Sequence, residues 1–442
     1  MNTTEASVAA LHDFSSPRTV EVRAAKPLSL TRNALWTMIG TGAYAAAQWL
    51  QVFLIAHLGT ASELGQYALA LGIATPIFMF FNLQLRQIQV TDARGSNTFP
   101  EYLGLRAISS FCGFGVVCLI ALFCSASLSV VLLAGCLALF KAAESLSEIY
   151  QGALQQQERM DYVGCSLLIK SGLILSAFGV TYFLTRSLII SAASMICAQV
   201  VGLYFYDMRA CDIAFRGRAI GERWAVLAQA ISNTRNSAPR IRSLAVRAFP
   251  LGVTMMLISL YANLPRFVLE RYSGVRAVGV FAAITYIPLA GTLLITAVGT
   301  SFSPRLSKYA YTDRSRFRSL LLQFIAFNVT LGGIGILTSL AGGSRLLTLL
   351  YGAEYARHTT AFTCVMVASA LNYVSSAFGF AATSFRSLKP QPWIMAGSTL
   401  VLLVTTEVLV PQFGITGAAI ATICSTFTSL CGYVGLVAWK LA

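Results

Sequence analysis

Residues 162–184 read YVGCSLLIKSGLILSAFGVTYFL, an apolar run whose one charged residue is Lys170. At 1.5 Å per residue a helix of this length covers ~34 Å, enough to cross a hydrocarbon core of ~30 Å. In lipid each segment must satisfy its own backbone hydrogen bonds, so the run is predicted to be a transmembrane helix. Lys170 lies about nine residues past Asp161, ~13 Å deep, where an ammonium costs ~2.5–3.5 kcal/mol on insertion scales unless something meets it. Two readings follow: a function that uses a buried cation, or a neighbouring carboxylate that makes the pair a brace.

The same pattern fills the chain from about Asn33 onward. Twelve spans are predicted, near 33–57, 64–86, 103–125, 127–150, 162–184, 187–207, 246–269, 278–302, 319–342, 359–383, 391–411 and 415–439. Composition agrees: 56% of the 442 residues are hydrophobic and 11% charged, about half the charged share of a soluble domain. The fold class is an all-α polytopic membrane protein.

The net charge of +15 reports topology. The Lys and Arg residues of the N-terminal tail, the loops after even-numbered spans and the C-terminus number 24. They include Arg18, Arg23, Lys26, Arg94, Arg106, Arg159, Arg216, Arg218, Arg223, Arg235, Arg314 and Lys440. The opposite face holds six: Arg186, Arg266, Arg271, Arg276, Arg345 and Arg357. This bias puts both termini in the cytoplasm and turns the basic excess toward anionic lipid, not nucleic acid. Residues 1–30 have no apolar core with a cleavage site and are predicted to be a disordered cytoplasmic tail. The ten cysteines form no C-x-x-C pair and read as small packing residues.

A basic linker, 209–245, separates an N-terminal lobe (31–208) from a C-terminal lobe (246–442), six spans each. FLIAHLG (53–59) followed by LGQYA (64–68) parallels FVLERYS (267–273) followed by VGVFA (278–282) at one constant offset. GALQQQER (152–159) parallels GFAATSFR (379–386) at a slightly larger one. Six spans return the chain to its starting side, so the repeats share orientation and are related by a pseudo-two-fold along the membrane normal. The cleft between such lobes can open to either side, and polar side chains within the spans should face it.

Several residues could supply chemistry there. Lys141, Glu144, Glu148, Gln151 and Gln155 form a polar stripe on the fourth span, lining an inward mouth or leaving the membrane as self-paired charges. Arg86 ends the second span; Arg266 and Arg271 lie near the end of the seventh, beside Asn263 and Pro265. A guanidinium suits bidentate phosphate binding, with snorkelling to headgroups as the competing role. Tyr44, Gln48 and Gln51 share a face of the first span and could hydrogen-bond a sugar. Glu144 and Glu407 are carboxylates suited to a coupling ion, although Glu407 also suits a structural pair.

No P-loop, H-E-x-x-H or G-x-S-x-G motif occurs, and His12, His57 and His358 lie far apart. The chain is therefore read as a carrier without catalytic residue, cofactor or metal. RFVLERYSG (266–274), LYGAEYA (350–356) and GITGAAIA (414–421), in this order and spacing, resemble the polysaccharide-export proteins. These are the Wzx-type O-antigen and exopolysaccharide flippases of the multidrug/oligosaccharidyl-lipid/polysaccharide exporter superfamily. The resemblance implies transfer of an undecaprenyl-diphosphate-linked oligosaccharide between leaflets of the bacterial inner membrane by alternating access. It also implies a cationic cavity, coupling to an ion gradient (H+ or Na+), and work alongside a polysaccharide polymerase and export machinery. The alternatives are a drug or cation antiporter of the same superfamily, which should carry acidic cavity residues, a peptidoglycan-precursor flippase, and a membrane-embedded O-antigen ligase or polymerase, which needs a large outer loop.

Overall fold

The computed structural model describes residues 28–92, 95–124, 127–214, 238–387 and 389–441. Most of the predicted tail, most of the basic linker, and Arg18, Arg23, Lys26, Arg94, Arg216, Arg218, Arg223 and Arg235 lie outside the described residues. Among the described residues there is no strand. The first half comprises α1 (Leu30–Leu58), α2 (Ala61–Phe81), a short α3 (Leu85–Thr91), α4 (Phe99–Cys124), α5 (Leu128–Gln156), α6 (Met160–Thr185) and α7 (Leu188–Gly202). A π-turn, Leu203–Asp207, then leads into α8 (Met208–Ala214). The second half comprises α9 (Ala238–Tyr286), α10 (Leu289–Thr312), α11 (Arg314–Tyr351), a short α12 (Ala353–Ala356), α13 (Thr359–Ser384) and α14 (Gln391–Leu441).

Local chemistry sets the boundaries. The Ser29 hydroxyl caps α1, and Thr60 with Glu63 forms a reciprocal capping box on α2. Asp313 caps α11 by accepting from the Arg316 N–H at 3.0 Å. α2 ends in two consecutive left-handed residues, Leu83 and Gln84, both at φ 50°. Such geometry strains side chains with a Cβ. Ser145 donates to Asn82 at 2.6 Å beside this turn.

Two long helices double back at glycines that adopt positive φ. In α14, Gly414 sits at φ 53°, ψ −126°. Beyond it Gly417 packs against Leu409, and the Ser425 hydroxyl donates to the Ser398 carbonyl at 2.7 Å. In α9, Gly274 sits at φ 79°, ψ 171°, and Tyr286 returns to the cavity wall that holds Arg266. The stretch predicted as one span over 278–302 is broken at Ile287 and Pro288. Proline lacks an N–H, so the helix ladder cannot continue unbroken there.

The buried cores show how the halves meet. One face of the bundle carries the Arg-rich loops, and both described ends lie there: the Leu28 N–H reaches the Glu158 carbonyl and Arg314 reaches that of Leu441. Toward the opposite, far face, a single core takes residues from both halves, including Ile55, Leu64, Phe178, Leu269, Val278, Phe281, Tyr351 and Ala418. Toward the basic face the core divides. One set has Leu85, Leu103, Ile149 and Leu203 with Leu244 and Ala248 of α9; the other has Leu306, Phe317, Phe324, Ala377 and Leu436. The bundle is thus sealed at the far face and parted toward the basic one.

The start of α9 sides with the first half. Arg240 meets Glu101 at 3.4 Å, and Arg247 donates to Asn97 at 3.0 Å. Asp92 fixes the loop that presents Asn97. Burial works against its ionisation, but the N–H groups of Ser96 and Asn97 and the Tyr102 hydroxyl hold its carboxyl below the usual range.

The seal at the far face is reciprocal. A Cβ on Gly65 would strike the Val275 carbonyl, and one on Gly279 would strike the Ala61 carbonyl. Gly65 and Gly279 are the matching glycines of LGQYA and VGVFA, and Ala61 and Val275 precede them by the same interval. The two repeats therefore touch through the same surface at their pseudo-two-fold axis, with small residues allowing close backbone approach. Gly65→Ala and Gly279→Ala are each expected to destabilise the protein by about 1–3 kcal/mol through overpacking. Gly115→Ala, which meets open space, should be neutral or stabilising by up to ~1 kcal/mol. Thermal unfolding in detergent measures this contrast; equal effects at all three positions would refute the crossing.

Candidate functional site

Between the halves lies a cavity of about 600 Å³. From the first half, α1 contributes Tyr44, Gln48 and Gln51, α5 contributes Lys141 and α6 contributes Ser171. From the second, α9 contributes Asn263, Arg266 and Tyr286, and α13 contributes Ser369 and Asn372. Apolar side chains such as Leu71, Leu137, Phe140 and Phe281 complete the wall. Gln51 accepts from the Tyr67 hydroxyl at 3.2 Å. Trp49 donates to the Tyr351 hydroxyl at 3.1 Å, a hydrogen bond that ties α1 of one half to α11 of the other.

The two cations on this cavity differ. Lys141 Nζ lies 2.7 Å from Glu144 Oε2, while the Tyr44 hydroxyl donates to Glu144 Oε1. Its charge is already matched. Arg266 donates through Nη1 to Asn263 Oδ1 at 2.8 Å, and its buried Nε has no partner among the described residues. No described carboxylate lies within ion-pair distance of Arg266. A half-buried guanidinium with a neutral neighbour leaves its charge for whatever enters the cavity. Helix α9 carries it between Pro265 and the Gly274 reversal; the break after Tyr286 brings that hydroxyl-bearing side chain to the same cavity. The Tyr373 hydroxyl braces the break by donating to the Pro288 carbonyl at 2.6 Å.

Of the residues singled out in the sequence, Tyr44, Gln48, Gln51, Lys141 and Arg266 line the cavity with Asn263 and Pro265, and Glu144 is one bond behind it. The others lie elsewhere. Lys170 is buried inside the first half, 2.9 Å from Asp207 and bonded also to Ser147. Asp207 accepts from Ser147 and Ser166 as well; Gln151 donates to Ser166 at 3.2 Å. Arg86 joins the same network, donating to Gln151 and Gln155, each at 3.0 Å. Gly202 makes room for the Lys170 stem, which a Cβ there would strike. Arg271 is exposed and stacks on the Tyr272 ring at 5.4 Å. Glu407 accepts from the Tyr272 hydroxyl at 3.0 Å near the far face, away from the cavity.

Arg106, grouped by the sequence with the basic loop, is instead fully buried in α4 with Glu148 at 3.5 Å. The helix begins at Phe99, so two turns of it carry Arg106 inward past headgroup level. Sequence reasoning also missed Asp207. Its signal was the need of a deep Lys170 for a carboxylate, but Asp207 ends a predicted span, where an acid is unremarkable. The π-turn adds the residue that rotates it inward. The nine cysteines whose side chains are described are all free thiols.

The profile of the "Polysaccharide biosynthesis protein" family matches residues 30–310, well over half of the chain. The chain belongs to that family. Among curated members of known sequence, it is 25% identical over 416 residues to the capsular polysaccharide biosynthesis protein CapF of Staphylococcus aureus, covering 91% of this chain and 98% of that one. Among solved structures, it resembles the lipid II flippase MurJ in an inward closed conformation, with a TM-score of 0.69 and 13% identity over 91% of this chain and 87% of that one. An inward-facing multidrug resistance MATE transporter of the MOP superfamily follows, with a TM-score of 0.62 and 14% identity over 98% and 97%. At these identities the structural likeness speaks for the fold alone: a multi-pass bundle of membrane-spanning helices.

Proposed function

We propose that the chain is a flippase that moves a polyprenyl-diphosphate-linked oligosaccharide from the cytoplasmic to the outer leaflet of the bacterial inner membrane. Arg266 carries this reading: it is a cation on the wall of the inter-half cavity with no carboxylate partner among the described residues. A diphosphate diester holds two negative charges, one for Arg266 and one for Lys141 across the cavity. Gln48, Gln51 and Asn372 offer uncharged hydrogen bonds to sugar hydroxyls, while the polyprenyl tail stays in lipid. The bias of Arg and Lys toward one face supports a cytoplasmic orientation for that face and for both termini. In that orientation the halves part toward the cytoplasm, the state that loads substrate. The charges of that face would also meet anionic lipid, and the delivered product would pass to a polymerase and export machinery.

Lys170 and Arg86 fall outside this substrate site in the proposal, since each is engaged within the first half. Arg271 falls outside it too, at the surface. Coupling to H+ or Na+ falls to Glu144, which touches both cavity residues Lys141 and Tyr44; Glu407 is spent on Tyr272 at the far face. The second reading, a drug or cation antiporter, has the MATE-like fold in its favour. It would need a carboxylate free to bind a cation, and Glu144 is occupied on both oxygens.

Reconstitution tests the proposal. Vesicles containing the full chain and undecaprenyl-diphospho-N-acetylglucosamine are expected to expose the lipid to an added galactosyltransferase on the opposite side at least about tenfold faster than empty vesicles. Uncatalysed flipping of so polar a headgroup is slow, because every charge must be desolvated. Equal rates, with ethidium moved instead, would replace the flippase by the antiporter.

A further inference from the structure

A carboxylate stands just behind the wall of the cavity proposed to receive an anion. Glu144 holds Lys141 at 2.7 Å through one oxygen and accepts from Tyr44 through the other. Both members of the ion pair are about one-fifth exposed, so the pair is neither sealed in the core nor dissolved in bulk water. With Arg266, the resting wall carries two positive charges and one negative. A ligand with one negative charge neutralises that wall through Arg266 alone. A ligand with two cannot do so unless Lys141 turns to it and Glu144 loses its partner.

We propose that Glu144 is the resident counter-anion of Lys141 and becomes a proton-binding site when a diphosphate displaces it. This rests on the flippase reading and adds a ligand to it: loading takes up one proton. The Lys141 ammonium keeps its three protons and shifts its ion pair from Glu144 to a phosphate oxygen. The freed carboxylate then accepts one proton from water in the open cavity, and nothing is oxidised or reduced.

The surroundings favour that proton. On α5 itself, Glu148 lies one turn further along, and its charge is already met by Arg106 of α4 at 3.5 Å. From α1, Tyr44 offers one hydroxyl. From α6, Lys170 is the next cation but is held by Asp207. From α9, Arg266 and Tyr286 face the ligand across the cavity. With its lysine turned away and an anionic ligand beside it, the freed carboxylate has no opposite charge in a partly dehydrated wall, and taking up a proton removes that unmatched charge. The loaded site is then neutral, while ligand and bound proton together carry one negative charge, which the inside-negative membrane potential favours moving outward.

The test is calorimetric binding of undecaprenyl-diphospho-N-acetylglucosamine to the full chain in nanodiscs, across about two pH units above neutrality and in buffers of different ionisation enthalpy. Both phosphates of this probe stay ionised throughout, so any slope belongs to the protein. Wild type is expected to take up one proton per ligand and to lose affinity by up to about tenfold per pH unit from neutrality upward, levelling off at the alkaline end once the loaded site no longer keeps its proton. Glu144→Gln should bind with no slope and no proton uptake, at least as tightly as wild type at high pH. Phosphatidylglycerol, with one charge, should bind wild type without proton uptake. Tyr44→Phe removes a donor to the carboxylate and should move the wild-type profile to higher pH, which keeps the idea exposed if Glu144→Gln does not assemble. A flat wild-type profile, or an unaltered slope in Glu144→Gln, overturns the inference while leaving the flippase standing. Absence of any diphosphate binding by wild type removes both.

Discussion

Lys170→Met is expected to cost about 3–5 kcal/mol of stability, because it strands the Asp207 carboxylate in the interior of the first half. Asp207 is fully buried, and its other contacts are the hydroxyls of Ser147 and Ser166. The ammonium stands between Ser147 and Asp207, so its loss also loosens α5 from α6 and from the π-turn that ends α7. Lys170→Met combined with Asp207→Asn should recover most of the loss, since a neutral pair of similar volume leaves no buried charge unmatched. Thermal unfolding in detergent reads both. A double variant no better than the single one would mean that the network does more than neutralise charge. A harmless Lys170→Met would mean that the cation belongs to the cavity after all.

That pair also marks where the sequence stopped being legible. The depth of Lys170 follows from span length alone, and so does its need for a partner. Its partner does not: Asp207 is brought inward by one extra residue in a helical turn, and helical periodicity carries no signal for an inserted residue. Arg106 illustrates the same limit. A span boundary uncertain by a few residues decides whether an arginine snorkels or is buried, and here it is buried against Glu148. The reversals were easier to read, because positive φ favours glycine and Gly274 and Gly414 stand between apolar runs. The parallel between LGQYA and VGVFA was legible in letters; its cause, two glycines each receiving the other repeat's backbone, needed coordinates. The break at Ile287 and Pro288 was not foreseen, although the proline was in view. Within the cavity, Gln48, Gln51, Lys141 and Arg266 were found because polar residues in a span must face something other than lipid. The same argument over-selected Arg86, since a buried network in one half satisfies it equally well.

Arg266→Gln is expected to lower diphosphate-lipid translocation by about 100-fold, the effect of losing a charge-assisted phosphate contact of ~3 kcal/mol. Glutamine keeps a hydrogen-bonding tip that can reach Asn263, so the helix between Pro265 and Gly274 has no new reason to unfold. What disappears is the one cavity cation, among the described residues, not already matched by a carboxylate. Lys141 cannot replace it without abandoning Glu144, which leaves the wall neutral toward a dianion. Arg266→Lys should fall between the two, restoring charge without the planar fork that matches two phosphate oxygens. Arg271→Gln is the control: its guanidinium is at the surface on the Tyr272 ring, five residues along the same helix, and the rate should stay within about twofold. Initial rates in the reconstituted assay distinguish these outcomes. If Arg266→Gln moves lipid as fast as wild type while Arg271→Gln does not, substrate charge is read at the surface and the cavity is only a passage for sugars.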